Sequence, residues 1–380
     1  MRPSTCRFCG VGLRRSFVDL GRAPLSNSFL TTERLRKMEP HYPLHAYVCE
    51  NCLLVQLEEF ASAEMIFTDY LYFSSFSETW LRHAEAFAER MTRELKLCAR
   101  SLVIELASND GYLLQYFRQR DVAVLGVEPA ANVAAVAETL GVPTEVAFFG
   151  KATARRLVDA GKHADLICAN NVLAHVPDLN DFVAGLPILL KPAGTITVEF
   201  PHLLRLMANR QFDTIYHEHF SYFSLLVLDK VFARHGLRVF DVDCLPTHGG
   251  SLRIHACHAA AARPRTKRFH ATLAEEKEAG LNDLATYDRF GATRSTSSVR
   301  CWSFSSRRGA KASWSPAMAP RPRAIRCSIT AVSGRSCWLS PSIAAPTNRA
   351  ASCQADRFRS SLPSGSSPHS PTTCSSCRGT

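Results

Sequence analysis

The stretch that most constrains the fold covers residues 103–114 and reads VIELASNDGYLL. It joins a short apolar run to a polar turn at residues 108–111 and then passes directly into a helical pattern of apolar residues. A buried strand, a tight turn and a helix in this order are typical of open parallel sheets. In such sheets ligands bind at the carboxyl ends of the strands, where helix N–H groups face a polar guest. The turn is therefore predicted to lie at a binding site.

A second buried strand is predicted about twenty residues later, over residues 122–127, and ends at Glu128. A carboxylate at this distance can accept hydrogen bonds from two ribose hydroxyls. The turn contains Gly111 but lacks the G-x-G-x-x-G spacing, so a pyrophosphate would fit poorly. S-adenosylmethionine (SAM) carries no phosphate, and Glu105 or Asp110 could face its cationic or ribose end. The pattern favours SAM, and the alternative is an ordinary turn between a strand and a helix.

Strands and helices alternate through the rest of this region. Further strands are predicted at 144–149, 164–171 and 194–201, and helices at 129–140, 151–160 and 179–190, after a linker helix at 78–91. This alternation predicts an α/β fold with a doubly wound, Rossmann-like parallel sheet. The candidate cofactor-binding residues lie at or beside the strand ends and are Glu105, Ala107, Ser108, Asn109, Asp110, Gly111, Glu128, Asn170 and Asn171.

Two CxxC pairs, Cys6 with Cys9 and Cys49 with Cys52, precede this region. Two such pairs complete a tetrahedral zinc site of the closed, structural kind, and redox-active pairs are the alternative. Because no ligand is left for catalysis, the metal is expected to hold a small domain together. Residues 19–29 read as a loop, and 47–49 and 53–57 read as short strands.

The chain of 380 residues is long enough for two or three domains, and its formal net charge is +11. The basic excess is confined to residues 291–380, which hold 13 Lys or Arg and one acidic residue, whereas the first 290 hold 32 basic and 33 acidic residues. The main body is thus neutral, which argues against a nucleic-acid partner. The sequence lacks an apolar leader and a membrane-spanning apolar run, so a cytoplasmic protein without a membrane partner is expected.

A polar cluster between residues 212 and 224 brings proton donors and acceptors together. Its members are Tyr216, His217, Glu218, His219 and Tyr222. Acid–base catalysis or substrate binding is the favoured interpretation, with metal binding and a structural role as alternatives. A second motif, THGGSLR at 247–253, has paired glycines that permit close backbone approach, and its Arg253 could meet a carboxylate or phosphate or form an ion pair.

In combination these motifs identify a family. CRFCG with CENC, DYLY at 69–72, ELASNDGYLL, GVEPAANVA, ANNVLAHVPD, EFPH, YHEHFSYFS and HGGSLR together resemble the zinc-containing, SAM-dependent sugar C-methyltransferases. That family acts on nucleotide-linked 4-keto-deoxyhexoses. The resemblance covers roughly residues 1–290 and implies a zinc domain, a SAM-binding sheet, and a C-terminal α/β domain that helps to hold the sugar nucleotide.

The resemblance also implies residue roles. Carbon becomes nucleophilic when a base removes a proton beside a ketone, and His219 resembles that base, with Glu218 orienting it. Tyr216, His175 and Tyr70 would polarise the ketone or stabilise the enolate oxygen. The alternatives are SAM-dependent methylation of oxygen or nitrogen in another small molecule, and a non-catalytic zinc protein that binds nucleic acid.

After Phe290 the composition changes. Residues 291–380 contain 22 Ser and six Cys and show neither a helical nor a strand period. A reading-frame slip between residues 290 and 300 explains the change, because residues 317–331 can be reread in a shifted frame as YGAAAKGNTLLNYCG, which resembles the family's C-terminal domain. We therefore expect a disordered tail and weak turnover. The predicted regions are 1–63 (zinc-binding domain), 64–100 (linker helix region), 101–260 (SAM-binding domain), 261–290 (start of the C-terminal domain) and 291–380 (out-of-frame tail).

Overall fold

The computed structural model describes residues 5–26, 30–67, 70, 72–261 and 263–292. The strands are β1 (Arg15–Ala23), β2 (Tyr42–Val48), β3 (Val55–Leu57), β4 (Leu102–Leu106), β5 (Ala123–Val127), β6 (Thr144–Glu145), β7 (Ala164–Asn170), β8 (Leu190–Pro201), β9 (Ser221–Tyr222), β10 (Leu237–Leu245) and β11 (Ser251–His258). The helices are α1 (Ala63–Phe67), α2 (Glu78–Glu94), α3 (Leu114–Arg118), α4 (Ala131–Thr139), α5 (Lys151–Asp159), α6 (Leu179–Leu189), α7 (Leu203–Asn209), α8 (Leu225–Arg234) and α9 (Lys267–Glu278). A further helical stretch occupies residues 284–292.

Seven strands form the main sheet in the order β10-β11-β8-β7-β4-β5-β6. β4, β5, β6, β7 and β8 run parallel, and β11 pairs antiparallel with both β8 and β10. After β4 the chain adds β5 and β6 on one side of this strand. It then returns and adds β7 on the other side. The order therefore reverses between β4 and β7, which is where an open α/β sheet binds its ligand. The doubly wound fold is confirmed, but the sheet is mixed rather than purely parallel.

The strand register places the functional strand ends at one level. Glu105 lies beside Gly126 and Cys168, and Asn170 lies beside Glu199, which in turn pairs with Arg253. Residues two apart on a strand point to the same face. The residues two positions after Glu105, Gly126 and Cys168 therefore lie side by side across the sheet, in a row with Glu199 and Arg253. This row consists of Glu128, Ala107, Asn170, Glu199 and Arg253.

Helix α2 crosses one face of the main sheet. Ser77 caps its N-terminus by accepting a hydrogen bond from the Trp80 backbone N–H. Four side chains at helical spacing bury its inner face: Ala84, Phe87, Ala88 and Met91. The predicted linker helix is therefore present, and its N-terminal turns overhang the carboxyl ends of the strands.

A second, antiparallel sheet has the order β1-β2-β3-β9. Its last strand, β9, belongs to the predicted polar cluster, so Val55 pairs with Tyr222 and Gln56 with Ser221. The N-terminal cysteine region and the polar cluster are thereby joined by backbone hydrogen bonds. Among the described residues, no helix combines the length and the apolar character needed to cross a membrane.

Two further sequence predictions differ from the structure. The predicted loop at 19–29 is partly strand, because β1 continues to Ala23, while residues 27–29 lie outside the described residues. Gly291 and Ala292, which were predicted to belong to a disordered tail, continue the helical stretch 284–292. That stretch packs against β1, since the Phe290 ring stacks on Phe17 at a centroid distance of 4.7 Å. Residues 293–380, the rest of the predicted tail, lie outside the described residues.

Candidate active site

A cavity of about 810 Å³ lies at the carboxyl edge of the main sheet. Its volume falls in the range of small-molecule sites and is sufficient for SAM together with part of an acceptor. Nine of the predicted site residues line it: Ala107, Asn109, Glu128, Asn170, Asn171, Tyr70, His175, Tyr216 and His219. The structure therefore brings the predicted cofactor residues and the predicted acid–base residues together in one space.

Glu128 joins the ends of two strands. Its carboxylate accepts hydrogen bonds from the backbone N–H of Asn109 and of Ala130, each at 2.9 Å. Burial raises the pKa of Glu128, and these two hydrogen bonds oppose that rise. Because each carboxylate oxygen has two acceptor sites, the carboxylate can still accept ribose hydroxyls on its cavity side.

Two amides at the end of β7 add acceptors to the cavity wall. The buried Oδ1 atoms of Asn170 and Asn171 have no hydrogen-bond partner among the described residues. The Asn170 amide nitrogen donates to the Tyr112 hydroxyl at 3.3 Å, which orients its oxygen. Asn171 has a left-handed φ of +53°. Buried acceptors without partners require a donor, and the α-ammonium group of SAM fits this requirement.

The other predicted cofactor residues lie behind the cavity wall, not on it; they are Glu105, Ser108, Asp110 and Gly111. Burial raises the pKa of Glu105 well above its ordinary value, which favours the neutral acid. Asp110 accepts hydrogen bonds from the backbone N–H and the hydroxyl of Ser75. A Cβ atom at Gly111 would lie 3.1 Å from a Val142 methyl group, so this glycine allows close packing of the turn.

His219 is the best-placed base in the cavity. Its Nδ1 lies 2.9 Å from the carbonyl oxygen of Thr214, and its Nε2 lies 2.9 Å from the hydroxyl of Tyr216. Because a carbonyl can only accept, Nδ1 carries the proton and Nε2 presents its lone pair to Tyr216. Burial, together with the neighbouring His175, holds the pKa of His219 well below its ordinary value. The imidazole is therefore neutral, as a general base must be.

The phenols near His219 keep their protons. Burial raises the pKa of Tyr70 and of Tyr216 above the ordinary range, and the charge of Glu218 raises both further. Glu218 was predicted to orient His219, but the ring nitrogens of His219 contact Thr214 and Tyr216 instead. Glu218 is buried and does not line the cavity. It acts on the site through its charge.

The rest of the polar cluster is structural. His217 donates to the carbonyl oxygen of Pro43 at 3.1 Å and so ties this segment to β2. Tyr222 is buried in β9, outside the cavity lining. The DYLY motif places Tyr70 and Tyr72 on the cavity, whereas Asp69 and Leu71 lie outside the described residues. Trp80, His83, Thr247 and His248 are among the cavity residues that were not predicted to belong to the site.

The four predicted zinc ligands converge. The Sγ atoms of Cys6, Cys9, Cys49 and Cys52 all lie within 4.8 Å of one another. The Cys6–Cys52 and Cys9–Cys49 sulfur distances are 3.5 and 3.4 Å. A disulfide bond would measure about 2.05 Å. Zinc–sulfur bonds of about 2.3 Å in a tetrahedron separate the sulfurs by about 3.8 Å, so the arrangement fits a structural zinc ion.

The loop that carries Cys6 and Cys9 is bonded to helix α6 and to the segment before β9. The side-chain amide of Asn180 in α6 donates to the carbonyl oxygens of Arg7 and Phe8, at 2.8 and 2.9 Å. Arg7 in turn donates to the carbonyl oxygens of Pro177 and Phe220. The cysteine loop is therefore bonded to the helix whose residues Asp181 and Phe182 line the cavity.

The main sheet has the strand order of a SAM-dependent methyltransferase. Its cavity lies where that order reverses and contains the carboxylate of Glu128, as expected for such an enzyme. Three family models match the chain in sequence: a zinc binding domain over residues 6–67, a methyltransferase domain over 80–242, and a C-methyltransferase C-terminal domain over 246–306. C-methyltransferase NovU from Streptomyces niveus is 36% identical over 291 residues, which cover 76% of this chain and 69% of that protein. The chain belongs to this family of zinc-containing C-methyltransferases.

Other relatives match a smaller part of the chain. A ubiquinone biosynthesis O-methyltransferase from Rhodopseudomonas palustris strain BisB18 is 26% identical over 110 residues, which cover 29% of this chain and 43% of that protein. The structure of magnesium protoporphyrin IX methyltransferase from Synechocystis PCC 6803 with bound SAM matches with a TM-score of 0.36 and 13% identity, covering 47% of this chain and 79% of that one. A SAM-dependent methyltransferase from Clostridium acetobutylicum gives 0.38 and 12%, with 47% and 92% covered.

Proposed function

We propose that this C-methyltransferase acts on a nucleotide-linked 4-keto-deoxyhexose and methylates a carbon beside the ketone through an enolate. The observation that carries the proposal is the neutral imidazole of His219, whose Nε2 is bonded to the Tyr216 hydroxyl and which lines the same cavity as Glu128. A base in this position is needed for transfer to carbon, because a C–H bond beside a ketone must lose its proton before it can attack. The family to which the chain belongs supports the same chemistry.

Glu128, Asn109, Asn170 and Asn171 would hold SAM, which supplies an electrophilic methyl group when bound. The carboxylate of Glu128 accepts the ribose hydroxyls, and the amide oxygens of Asn170 and Asn171 accept the α-ammonium group. The side chains of Glu128 and Asn170 are fixed before binding by hydrogen bonds to backbone N–H groups and to Tyr112. Prior positioning of this kind lowers the entropic part of the barrier.

His219 removes the proton from the acceptor carbon at Nε2, after the Tyr216 hydroxyl has turned from this nitrogen to the ketone oxygen. The electron pair of the C–H bond moves onto that oxygen and leaves a nucleophilic enolate carbon. Bound SAM would supply the methyl group to this carbon, with its methyl–sulfur bond breaking to leave S-adenosylhomocysteine. Tyr216 and Tyr70 donate hydrogen bonds to the enolate oxygen, since both retain their protons. His219 then returns its proton to solvent.

The proposal is tested with SAM labelled with carbon-13 in its methyl group. The purified chain is incubated with thymidine-diphosphate-linked 4-keto-6-deoxyglucose, and the product is analysed by two-dimensional NMR. A labelled methyl carbon bonded to a sugar carbon is expected. A label on oxygen or nitrogen overturns the enolate chemistry, and a chain that binds S-adenosylhomocysteine but does not bind the keto-sugar overturns the acceptor class.

A further inference from the structure

One end of the cavity is lined by residues that neither the donor site nor the proton transfer uses. These are Trp80 and His83 of α2, with Thr247 and His248 of the turn between β10 and β11. We call this group the β8 wall, because Glu199 at the carboxyl end of β8 lies at its centre. The sequence motif THGGSLR at 247–253 contributes two of its members, Thr247 and His248.

Glu199 holds the β8 wall in place. It lies 3.0 Å from Nε2 of His83, accepts the Thr247 hydroxyl at 3.0 Å, and also accepts a hydrogen bond from Arg253. Burial alone would raise the pKa of Glu199, but the hydrogen bond from His83 and the charge of Arg253 outweigh this effect and lower it. Arg253 is buried and lies 4.0 Å above the Phe87 ring. The carboxylate and guanidinium charges cancel, so this ion pair adds no net charge to the wall.

The turn that carries Thr247 and His248 has an uncommon backbone. His248 has a φ of +51°, and Gly249 and Gly250 also have positive φ. A hydrogen bond from the Gly250 N–H to the Thr247 carbonyl, and another from Gln211 to the Gly249 carbonyl, hold this conformation. A left-handed histidine is unfavourable by itself and occurs mainly where function requires its position. Here it places the imidazole on the cavity, with the Trp80 ring 5.6 Å away.

The β8 wall lies beyond the reach of the donor. Glu128 and Glu199 occupy one row of the sheet, on strands β5 and β8, with β4 and β7 between them. Three strand spacings of about 4.8 Å separate them by about 14 Å. In the proposed function SAM extends from Glu128 after β5 to Asn170 and Asn171 at the end of β7, which is two strand spacings or about 10 Å. The wall is therefore left for the acceptor.

We propose that the β8 wall binds the hexose ring of the acceptor, with the Trp80 face against the apolar side of the ring and with Thr247 and His248 bonded to its hydroxyls. This inference rests on the proposed function. A diphosphate would require unpaired cationic donors, and the guanidinium of Arg253 is already bonded to Glu199. Neutral hydrogen-bonding groups beside an aromatic face suit hydroxyls better. The wall thus recognises the sugar ring and not its nucleotide.

Two variants test the inference in the full chain. His248→Gly removes the imidazole without backbone strain, because glycine accepts a positive φ, and Trp80→Leu removes the aromatic face. Isothermal titration calorimetry measures the Kd of S-adenosylhomocysteine, and then of thymidine-diphosphate-linked 4-keto-6-deoxyglucose and of thymidine diphosphate alone. Each variant should weaken binding of the keto-sugar nucleotide about tenfold, the value of one hydrogen bond or ring contact. The affinities for S-adenosylhomocysteine and for thymidine diphosphate alone should change by less than about twofold, which corresponds to about 0.4 kcal/mol.

Glu128→Gln serves as the reciprocal control, since it should weaken S-adenosylhomocysteine and leave the keto-sugar nucleotide unchanged. A loss of S-adenosylhomocysteine binding in the wall variants would overturn the inference by assigning the wall to the donor. An equal loss for thymidine diphosphate would assign it to the nucleotide. Unchanged binding of the keto-sugar nucleotide would show that the wall takes no part. If the unsubstituted chain does not bind the keto-sugar nucleotide, the proposed function itself fails.

Discussion

The hydroxyl of Tyr216 lies 2.9 Å from Nε2 of His219. The opposite nitrogen of the same ring is bonded to the backbone carbonyl of Thr214, which fixes the tautomer. Nε2 is therefore the atom that can take a proton from a bound methyl acceptor. The Tyr216 hydroxyl can then turn its hydrogen bond from this nitrogen to the ketone oxygen of that molecule. The roles of His219 and Tyr216 can therefore be distinguished by mutating each residue in turn.

His219→Asn should abolish methyl transfer and leave donor binding intact. Without an imidazole the acceptor carbon keeps its proton, and loss of a general base lowers rates by about 10²- to 10⁴-fold. Turnover with labelled SAM and calorimetry with S-adenosylhomocysteine measure the two effects. Tyr216→Phe is the matched comparison, because it retains the base and removes one donor to the enolate oxygen. Wild-type turnover in His219→Asn would remove the assignment.

The pH profile of methyl transfer should keep its plateau below pH 6.5. The pKa of His219 is held well below the ordinary value of about 6.5, so the ring remains an unprotonated base in mildly acidic solution. The acidic limb of kcat/KM at low acceptor concentration should therefore fall well under that value. A limb at or above pH 6.5 would show that a different group, or a solvent-exposed histidine, removes the proton.

Stability should fall as the pH is lowered from about 6.5 towards about 4. Burial lowers the pKa of His175 to about 4, against an ordinary value of about 6.5 in the unfolded chain. Between these pH values His175 is protonated in the unfolded state but not in the folded state, so protonation favours unfolding. Urea unfolding at several pH values measures the slope. His175→Gln should make the slope shallower, and an unchanged slope would contradict the assignment to this residue.

Much of the main sheet was predictable because its parallel strands are short, continuous apolar runs bounded by turns. The predicted strands at 122–127 and 164–171 correspond to β5 (Ala123–Val127) and β7 (Ala164–Asn170). The hairpin of β10 and β11 was not predicted. Its buried positions include Asp243 and His255, which hydrogen-bond to each other inside the fold. Such pairs interrupt the apolar pattern from which strands are recognised.

The site was predictable only where side chains carry the chemistry. His219 and Tyr216 belong to a dense polar motif, whereas Thr214 contributes a carbonyl oxygen and has no side-chain signature. His83 occupies an ordinary helical position in α2. Its importance arises from the contact with Glu199, more than one hundred residues away in sequence, which no local pattern encodes. Asp110 shows the converse, since its motif pointed to the cofactor and its carboxylate holds Ser75.

Loss of the zinc site should destabilise helix α6 beside the cavity as well as the N-terminal loops. Cys49→Ser removes one of the four ligands, and Asn180 of α6 is bonded to the loop that carries Cys6 and Cys9. Bound zinc should fall from one ion per chain to near zero by atomic emission, with a lower thermal midpoint and weaker S-adenosylhomocysteine binding. Cys98→Ser, at an exposed cysteine outside the cluster, is the control. An unchanged zinc content in Cys49→Ser would exclude the four-cysteine site.

The DNA that encodes residues 290–300 should contain one base too many or too few. The match to the C-methyltransferase C-terminal domain ends at residue 306, close to the point at which the sequence loses its acidic residues. A corrected frame should encode YGAAAKGNTLLNYCG in place of residues 317–331 and leave the codons before 290 unchanged. The corrected chain should bind thymidine diphosphate more tightly than this one and S-adenosylhomocysteine equally, because Glu128 and its neighbours precede the change. Resequencing that reproduces the present codons would refute the slip, and equal affinities for thymidine diphosphate would show that the altered segment takes no part in nucleotide binding.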